Sequence, residues 1–587
     1  MSFFRKTPGT GKSQSGAAPE TCRPEGSAGA AFPPLPPERH VFLTGFMGAG
    51  KSTAGPILAA RLGRAFTDLD RVIEEAEGEP ISAIFADPDR GEAYFRKREA
   101  DRIRALVNSR GLPRVVALGG GAVEDPATRK LLKESANTFF LDASDPSVLW
   151  ARAAGDGDGA SRPLAKDRGS FLKLLESRLP LYRSCGIPVD SGESGPEEVC
   201  RSILNILFAG REGAIRAEGR WNSRISAWPD LESLAASLKA RLEGRRSAVL
   251  LDPALRSEEP FWVGFLGEGS VLYPDRQGEA VKTLASAEKI LGVLASRSFD
   301  RSDWLLVRGG GSLTDLGGFC AGLFKRGIRL LLLPTTLLAA VDAAVGGKTA
   351  VNFAGAKNQC GHFYLPDEVL IDGGILRSLP PALIEEGLSE AYKTGLVLDP
   401  SLTDLVSREM DSLLPPPGAP GPDLPLLLET AWTAASLKAR VCSEDLREEK
   451  GIRDVLNFGH TFGHAAEAYY AASEVPLSHG RAVAFGMAAA LVLSERSFGL
   501  DPAFARGARS VCLKLSRGGY PPVPPADALS KLLLADKKAR LGKLKFVALK
   551  SPGEPVVTDL APGDLAAAAE EAVREAKARE TAPWSRS

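Results

Sequence analysis

The stretch "HVFLTGFMGAGKST", residues 40–53, passes from an apolar run (Val41 to Leu43) straight into Gly45-x-x-x-x-Gly50-Lys51-Ser52. That order predicts a strand, a glycine loop and a helix, the arrangement in which backbone N–H groups at a helix N-terminus wrap phosphates. Lys51 would reach the β and γ oxygens, and the Ser52 hydroxyl would ligate Mg2+. A partial copy, "TPGTGKS" at residues 7–13, has no strand before it. It reads as part of a Gly-, Pro- and Ser-rich disordered tail over residues 1–37.

Further along, "AFTDLD" places Asp68 and Asp70 at a strand end, where carboxylates two apart point the same way. One suits Mg2+ and the other a polyol hydroxyl. "GEAYFRKRE" has a helical pattern and carries Arg96, while "VVALGGGAV" is a buried strand ending in glycines, Gly120 among them, where backbone can approach a small ligand. "SRPLA" supplies Arg162 in a Gly- and Asp-rich stretch suited to a mobile lid, and "ESRLPLYR" supplies Arg178. Each arginine alone describes a solvated surface; their order makes them an anion site.

At 587 residues the chain calls for two to four domains. Lys+Arg and Asp+Glu both number 73, so no whole-protein field favours nucleic acid or an acidic membrane, and anions must be bound locally. Seven cysteines without CxxC spacing do not make a disulfide framework and point to a reducing cytoplasm. Apolar runs such as "RLLLLPTTLLAAV" are too short for a membrane span.

Residues 247–375 alternate apolar strands with helix-like segments ("AVLLD", "EPFWVGFLG", "DWLLVRGGGSLTDLGGF", "IRLLLLPTT", "EVLIDGG"), a parallel α/β pattern. Gly309 to Gly311 sit between strand and helix, a place for a pyrophosphate, although the run is not a GxGxxG fingerprint. Arg326, Lys348, Lys357, Lys393, Lys438 and Arg453 gather at what read as loops, several beside glycines. The proline-rich "LLPPPGAPGPDLP", residues 413–425, reads as an extended surface loop between helices. Three of the five histidines fall between residues 460 and 479. In "LNFGHTFGHAAEAYY" His460 and His464 are four apart, so they share one helical face and both could reach one metal ion.

Residues 38–207 resemble shikimate kinase in the ordered motifs GFMGAGKST, DLD, FRKRE, LGGGA, RPL and RLPLY. The resemblance implies transfer of the ATP γ-phosphate to the 3-hydroxyl of shikimate. It puts ATP on Gly48, Ala49, Gly50, Lys51, Ser52 and Thr53 with Arg162 closing over it, and Mg2+ on Ser52 and Asp68. Shikimate would lie on Asp70, Arg96, Gly120 and Arg178, with Lys51 and Arg162 catalytic.

Residues 223 to about 575 resemble 3-dehydroquinate synthase in QGEAVK, GGGSLTDLGGF, KRGIR, PTTLLAAVDAAVGGKTAVN, KNQCGHFY, EEGLSEAYKTG, LNFGHTFGHAAE and PLSHG. The implied metal, Zn2+ or Co2+, sits on Glu390, His460 and His479, which leaves His464 a proton-handling role. NAD+ is implied against Glu279, Lys282, Gly311, Ser312, Leu313, Thr314, Asp315, Thr335 and Thr336, with Lys348 and Lys357 between cofactor and substrate. The implied substrate contacts are Asp342, Asn358, Lys393, Lys438, Arg453, Asn457, His464, Lys538 (or Lys537) and Arg326, the last reaching across a homodimer. Lys348, Lys393, Arg453, Asn457 and His464 are the expected catalytic residues. Where that family commonly has Gly before the Asp, this chain has Thr314, which would strain the loop if a positive φ is needed there.

The expected fold class is α/β: a P-loop kinase domain with a parallel sheet and helices on both faces (38–207), a linker (208–222), a Rossmann-like NAD-binding part (223–378) and a mostly helical metal-bearing part (379–587) ending in a short tail. The expected protein is a cytoplasmic bifunctional enzyme of aromatic biosynthesis. It converts 3-deoxy-arabino-heptulosonate 7-phosphate to 3-dehydroquinate and phosphate, recycling NAD+ within the turnover, and it phosphorylates shikimate.

Overall fold

A computed structural model of the chain describes residues 39–579 apart from 63, 109–112, 136, 144, 156–166, 193, 208–211, 217–221, 417, 420, 472, 474–475, 518 and 536–543. The expected tail, Arg162, Lys537 and Lys538 lie outside the described residues.

Five short strands, β1 (Val41–Thr44), β2 (Ala65–Asp68), β3 (Arg114–Ala117), β4 (Asn137–Asp142) and β5 (Ile187–Asp190), form a parallel sheet in the order β2-β3-β1-β4-β5. Every residue of β1 is buried, so both faces of the sheet are covered, which is why its strands read as apolar runs and not as alternation. The helix Lys51–Leu62 starts where the glycine loop ends. Asp68 closes β2, but Asp70 lies in the first turn of the following helix, Leu69–Glu77, and not on the strand as expected.

The second sheet contains β6 (Glu212–Arg216), β7 (Asn222–Trp228), β8 (Ser247–Leu251), β9 (Val271–Leu272), β10 (Trp304–Gly309), β11 (Arg329–Pro334) and, after the hairpin β12 (Lys348–Phe353) and β13 (Ala356–Phe363), β14 (Glu368–Asp372). Its order is β6-β7-β14-β11-β10-β8-β9, parallel except for the β6–β7 pair. Part of the stretch expected to be a linker is therefore the edge strand of this sheet. The order reverses between β8 and β10, which puts the carboxyl end of β10 and Gly309 to Gly311 at a switch-point crevice. "EPFWVGFL" is a helix, Glu259–Leu266.

Beyond residue 380 the described residues are mainly helical, with the hairpin β15 (Leu544–Ser551) and β16 (Glu554–Leu560) among them. The helix His479–Phe498 is the hub: it packs on Pro381–Leu398, His460–Tyr470, Pro502–Leu515 and Pro562–Arg579. Its small residues allow a tight crossing; a Cβ on Gly486 would lie 1.9 Å from the Gly459 carbonyl oxygen. That approach brings the start of His460–Tyr470 against the start of His479–Phe498. Lys393 and Lys438 are on the helices Pro381–Leu398 and Leu424–Glu444, and Lys348 and Lys357 are on β12 and β13, so four of the six basic residues assigned to loops belong to regular elements. Among the described residues no helix is long and apolar enough to cross a membrane.

Candidate active sites

In the first half a cavity of about 490 Å³ is lined by the glycine loop at one end and by Asp70, Arg96, Gly119 to Gly121 and Arg178 at the other. Lys51 Nζ donates to the carbonyls of Gly45 (2.6 Å) and Phe46 (3.1 Å), folded back on its own loop. Ser52 Oγ donates to Asp68 Oδ2 at 3.1 Å, which brings the two expected Mg2+ ligands together. Burial, and then the neighbouring Asp68, push the Asp70 carboxyl up from its ordinary range.

Arg96 is held by Glu92 (3.0 Å) and Glu99 (2.8 Å), four residues before it and three after it on the same helical surface. Burial pushes Glu99 up to about 7 despite the Arg96 charge. Arg178, 4% exposed, donates through Nε to Glu124 at 2.8 Å. The Tyr182 hydroxyl donates to the Gly120 carbonyl at 2.5 Å. Gly121 has no room for a side chain, since a Cβ would lie 2.1 Å from Arg96 Nη2. Sequence reasoning missed Arg152, which lines the cavity, and Glu99, Glu124 and Tyr182, which hold the lining residues Arg96, Arg178 and Gly120. Glu99 was findable from its three-residue spacing to Arg96.

In the second half Glu390, His460 and His479 each offer a ligand atom, all within 4.8 Å of one another. The His460 and His479 Nε2 atoms stand 3.3 and 3.2 Å from Glu390 Oε1. His460 Nδ1 faces the Phe458 carbonyl at 3.3 Å and His479 Nδ1 faces Glu467 at 3.1 Å, so each Nε2 is turned to the shared centre. Two imidazoles and a carboxylate suit a catalytic Zn2+ with one position left open, and the donor set fits. Burial would lower His479, but hydrogen bonds to Glu390 and Glu467 raise it to about 10. His464 is not in this set; its ring lies 5.0 Å from His460 and 5.9 Å from His479.

Of the residues expected to bind an anion, Lys393 touches this centre directly. Lys393 donates to Glu390 at 2.5 Å, and burial, which would lower its pKa, is outweighed by Glu390 and Asp342. Lys438 donates to the Asp342 backbone (2.6 Å) and carboxylate (2.7 Å). Lys348 and Arg453 both pair with Glu448, a residue no spacing had flagged. Asn457 Nδ2 donates to the Asp454 carbonyl at 3.1 Å.

On the crevice side Lys282 donates to Asp315 (2.6 Å) and Asn358 (2.5 Å), and Glu279 accepts from Ser312 and Asn352, both at 2.8 Å. Lys357 acts electrostatically on both Glu279 and Glu467, bridging the crevice and the histidines. Thr335 donates its backbone N–H to the Gly309 carbonyl, and Thr336 Oγ1 accepts from Ala339. The helix Gly311–Leu323 opens on the crevice, and a Cβ on Gly311 would lie 3.2 Å from Ala343 Cβ, so a side chain there would crowd Ala343. Leu313 and Thr314 are buried within this helix, and Thr314 has no positive φ, so the departure feared there carries no strain. Arg326 stands apart, in a recess of about 570 Å³ with Arg301, Arg329 and Tyr364 and none of the other expected site residues.

The shikimate kinase family model matches residues 47–208, and the N- and C-terminal 3-dehydroquinate synthase models match residues 273–386 and 387–539. A bifunctional shikimate kinase/3-dehydroquinate synthase from Thermotoga maritima is 34% identical over 530 residues, covering 90% of this chain and 99% of that relative. The chain belongs to this bifunctional family. Its halves are a shikimate kinase and a 3-dehydroquinate synthase, two enzymes of the shikimate pathway. The synthase half is also similar to the 3-dehydroquinate synthase of Halorhodospira halophila, 39% identical over 300 residues, 50% of this chain and 81% of that one. Among solved structures, a 2-epi-5-epi-valiolone synthase from Streptomyces hygroscopicus with NAD+ and Zn2+ bound covers 62% of this chain and 99% of its own, with 26% identity and a TM-score of 0.52.

Proposed function

We propose that the two halves carry two separate active sites. In the kinase half the ATP phosphates lie along Gly48 to Thr53, and Lys51 exchanges its loop carbonyls for phosphate oxygens. Ser52 and Asp68 hold Mg2+. Arg96, Arg178 and the Gly120 backbone hold the shikimate carboxylate, and Asp70, made more basic by burial, accepts the proton of the attacking hydroxyl. Phosphoryl transfer then needs mainly positioning and charge neutralisation. The observation that carries this reading is that the Ser52–Asp68 pair and the Arg96–Arg178 pair line one cavity. Arg162 closes over ATP.

In the synthase half Glu390, His460 and His479 hold Zn2+ or Co2+, and NAD+ lies against Glu279, Lys282, Gly311 to Asp315, Thr335 and Thr336. These groups supply Lewis acidity and reversible hydride acceptance when bound. Lys393, Lys438, Arg453, Asn457, Asn358, Asp342 and Lys538 bind the phosphorylated keto acid, Lys348 and Lys357 lie between it and the cofactor, and His464 manages protons near the phosphate. The NAD+ and Zn2+ of the valiolone synthase support this reading.

The domains divide near residues 208–222, 378 and 379. The assembly is a homodimer through the synthase half, supported by the separate position of Arg326 and by the exposed Leu323 and Phe363. The compartment is the cytoplasm, supported by six cysteines that are all free thiols among the described residues.

The test is a pair of assays on full-length protein: phosphate release from the heptulosonate phosphate with NAD+ and Zn2+, and phosphorylation of shikimate with ATP and Mg2+. Lys51→Ala abolishes only the second and His460→Ala only the first. A wild type silent in either assay, or a variant that loses the other activity, contradicts the assignment. Mixing Arg326→Ala with Lys393→Ala subunits restores synthase activity if Arg326 serves the neighbouring subunit.

A further inference from the structure

The two arginines assigned to the shikimate carboxylate already hold a carboxylate. Arg178 Nε donates to Glu124 Oε1 at 2.8 Å, and Arg96 Nε faces Glu124 Oε2 at 3.7 Å. The other Arg96 nitrogens are engaged, Nη1 by Glu99 and Nη2 by Glu92. Arg96 Nε is buried without a hydrogen-bond partner, so the donor aimed at Glu124 is available to an oxygen that comes closer.

The pair is unequal in mobility. The Arg178 side chain is 4% exposed and Arg96 20%, whereas Glu124 is 39% exposed. The Glu124 backbone is pinned, its N–H donating to the Gly121 carbonyl at 2.9 Å and its carbonyl accepting from Arg129 at 2.8 Å. The side chain can therefore rotate toward water while the arginines stay. Glu124 is the acid paired with the buried Arg178, and a buried guanidinium left with no counter-charge is strongly unfavourable, so an anion must face Arg178 whether or not the acceptor is bound.

We propose that Glu124 is a resident competitor for the acceptor carboxylate: it closes the arginine pair until the acceptor arrives and then yields its place. It is a positioning residue that acts through Arg96 and Arg178, and the proposal rests on the reading of these two as the acceptor site. A neutral polyol brings nothing to exchange for Glu124, so the device selects acceptors that carry their own carboxylate. It also lowers apparent acceptor affinity, because only the fraction of molecules with Glu124 withdrawn can bind.

The test uses full-length protein with ATP and Mg2+, measuring KM and kcat for shikimate in wild type, Glu124→Gln and Glu124→Ala. Removing the competitor lowers KM for shikimate about three- to tenfold in both variants, the inverse of an open fraction of about a third to a tenth. A merely supporting role for Glu124 would raise KM instead. In Glu124→Ala, acetate inhibits competitively with shikimate at concentrations that wild type tolerates. Unchanged or raised KM in both variants, or equal acetate inhibition in Glu124→Ala and wild type, overturns the proposal. Arg178→Lys separates the two levels: if it raises KM while the Glu124 variants do not lower it, only the role of Glu124 fails. If it leaves KM unchanged, the acceptor-site reading fails and the proposal with it.

Discussion

The guanidinium of Arg64 grips the carboxylate of Asp423, 359 residues further along the chain, through Nε–Oδ2 at 2.5 Å and Nη2–Oδ1 at 3.2 Å. Their side chains are 1% and 3% exposed. Arg64 follows the phosphate-loop helix of the kinase half, and Asp423 caps the synthase helix Leu424–Glu444, accepting from the Leu426 N–H at 3.1 Å. One buried ion pair thus fastens the two halves and holds the end of the helix that carries Lys438.

Arg64→Ala strands the Asp423 carboxylate and lowers unfolding stability by about 3–5 kcal/mol. Adding Asp423→Asn recovers part of that loss, because asparagine still caps the helix and carries no charge. Urea unfolding of the single and double variants measures both effects. A single variant within about 0.5 kcal/mol of wild type would place the pair among inert surface contacts.

Glu99 gives the kinase half a pH-dependent stability. Its folded pKa of about 7 is above its unfolded value, so the folded state binds the proton more tightly. The stabilisation is fully present below about pH 4.5 and is lost as pH rises through about 7. Glu99→Gln removes this slope, so the stability difference between variant and wild type moves in the variant's favour from pH 5 to pH 8. A difference that stays constant over that range refutes the assignment.

Glu467 orients His479 without belonging to the set of three candidate ligands. Glu467→Gln weakens metal affinity about 10- to 100-fold, the cost usual for a lost outer partner. Competition against a chelator, read as metal bound per chain, checks this without relying on turnover. Stripping Zn2+ while Mg2+ is kept in excess stops the synthase and spares the kinase.

Gly121→Ala pushes a Cβ into the Arg96 guanidinium. Because a displacement of about 1 Å at a positioning group costs on the order of a hundredfold, shikimate phosphorylation falls by at least tenfold. Synthase activity, measured on the same sample, is unchanged and shows that the chain is folded.

The local parts of this architecture were legible because local spacing has fixed geometry. Strand, glycine loop and Lys51–Leu62 helix followed from "HVFLTGFMGAGKST", and the helical spacing of His460 and His464 found the metal region. Spacing alone also offered His464 as a ligand, and it could not offer Glu390, which comes from a helix 70 residues earlier; the family resemblance implied that one. Asp70 was placed on a strand because alternation says nothing of where a strand ends. Glu124, Glu448 and the Arg64–Asp423 pair were invisible, since each partner lies on a different element and only packing brings them together. The concern over Thr314 dissolved because its position is helical, a fact set by how the Gly311–Leu323 helix docks on β10 and β12.

The strand β6 changes what it means to separate the two enzymes. It hems the second sheet, pairing with β7 and packing under the Leu424–Glu444 helix. A synthase half excised at Ser223 would bare the β7 edge, a ready template for sticking to another copy. Cut before Glu212, it would keep its hem yet still lose the cation that answers Asp423. The fusion is therefore asymmetric in its dependencies: part of the sequence at the junction has become architecture for one partner, and the other supplies a charge that cannot be left behind.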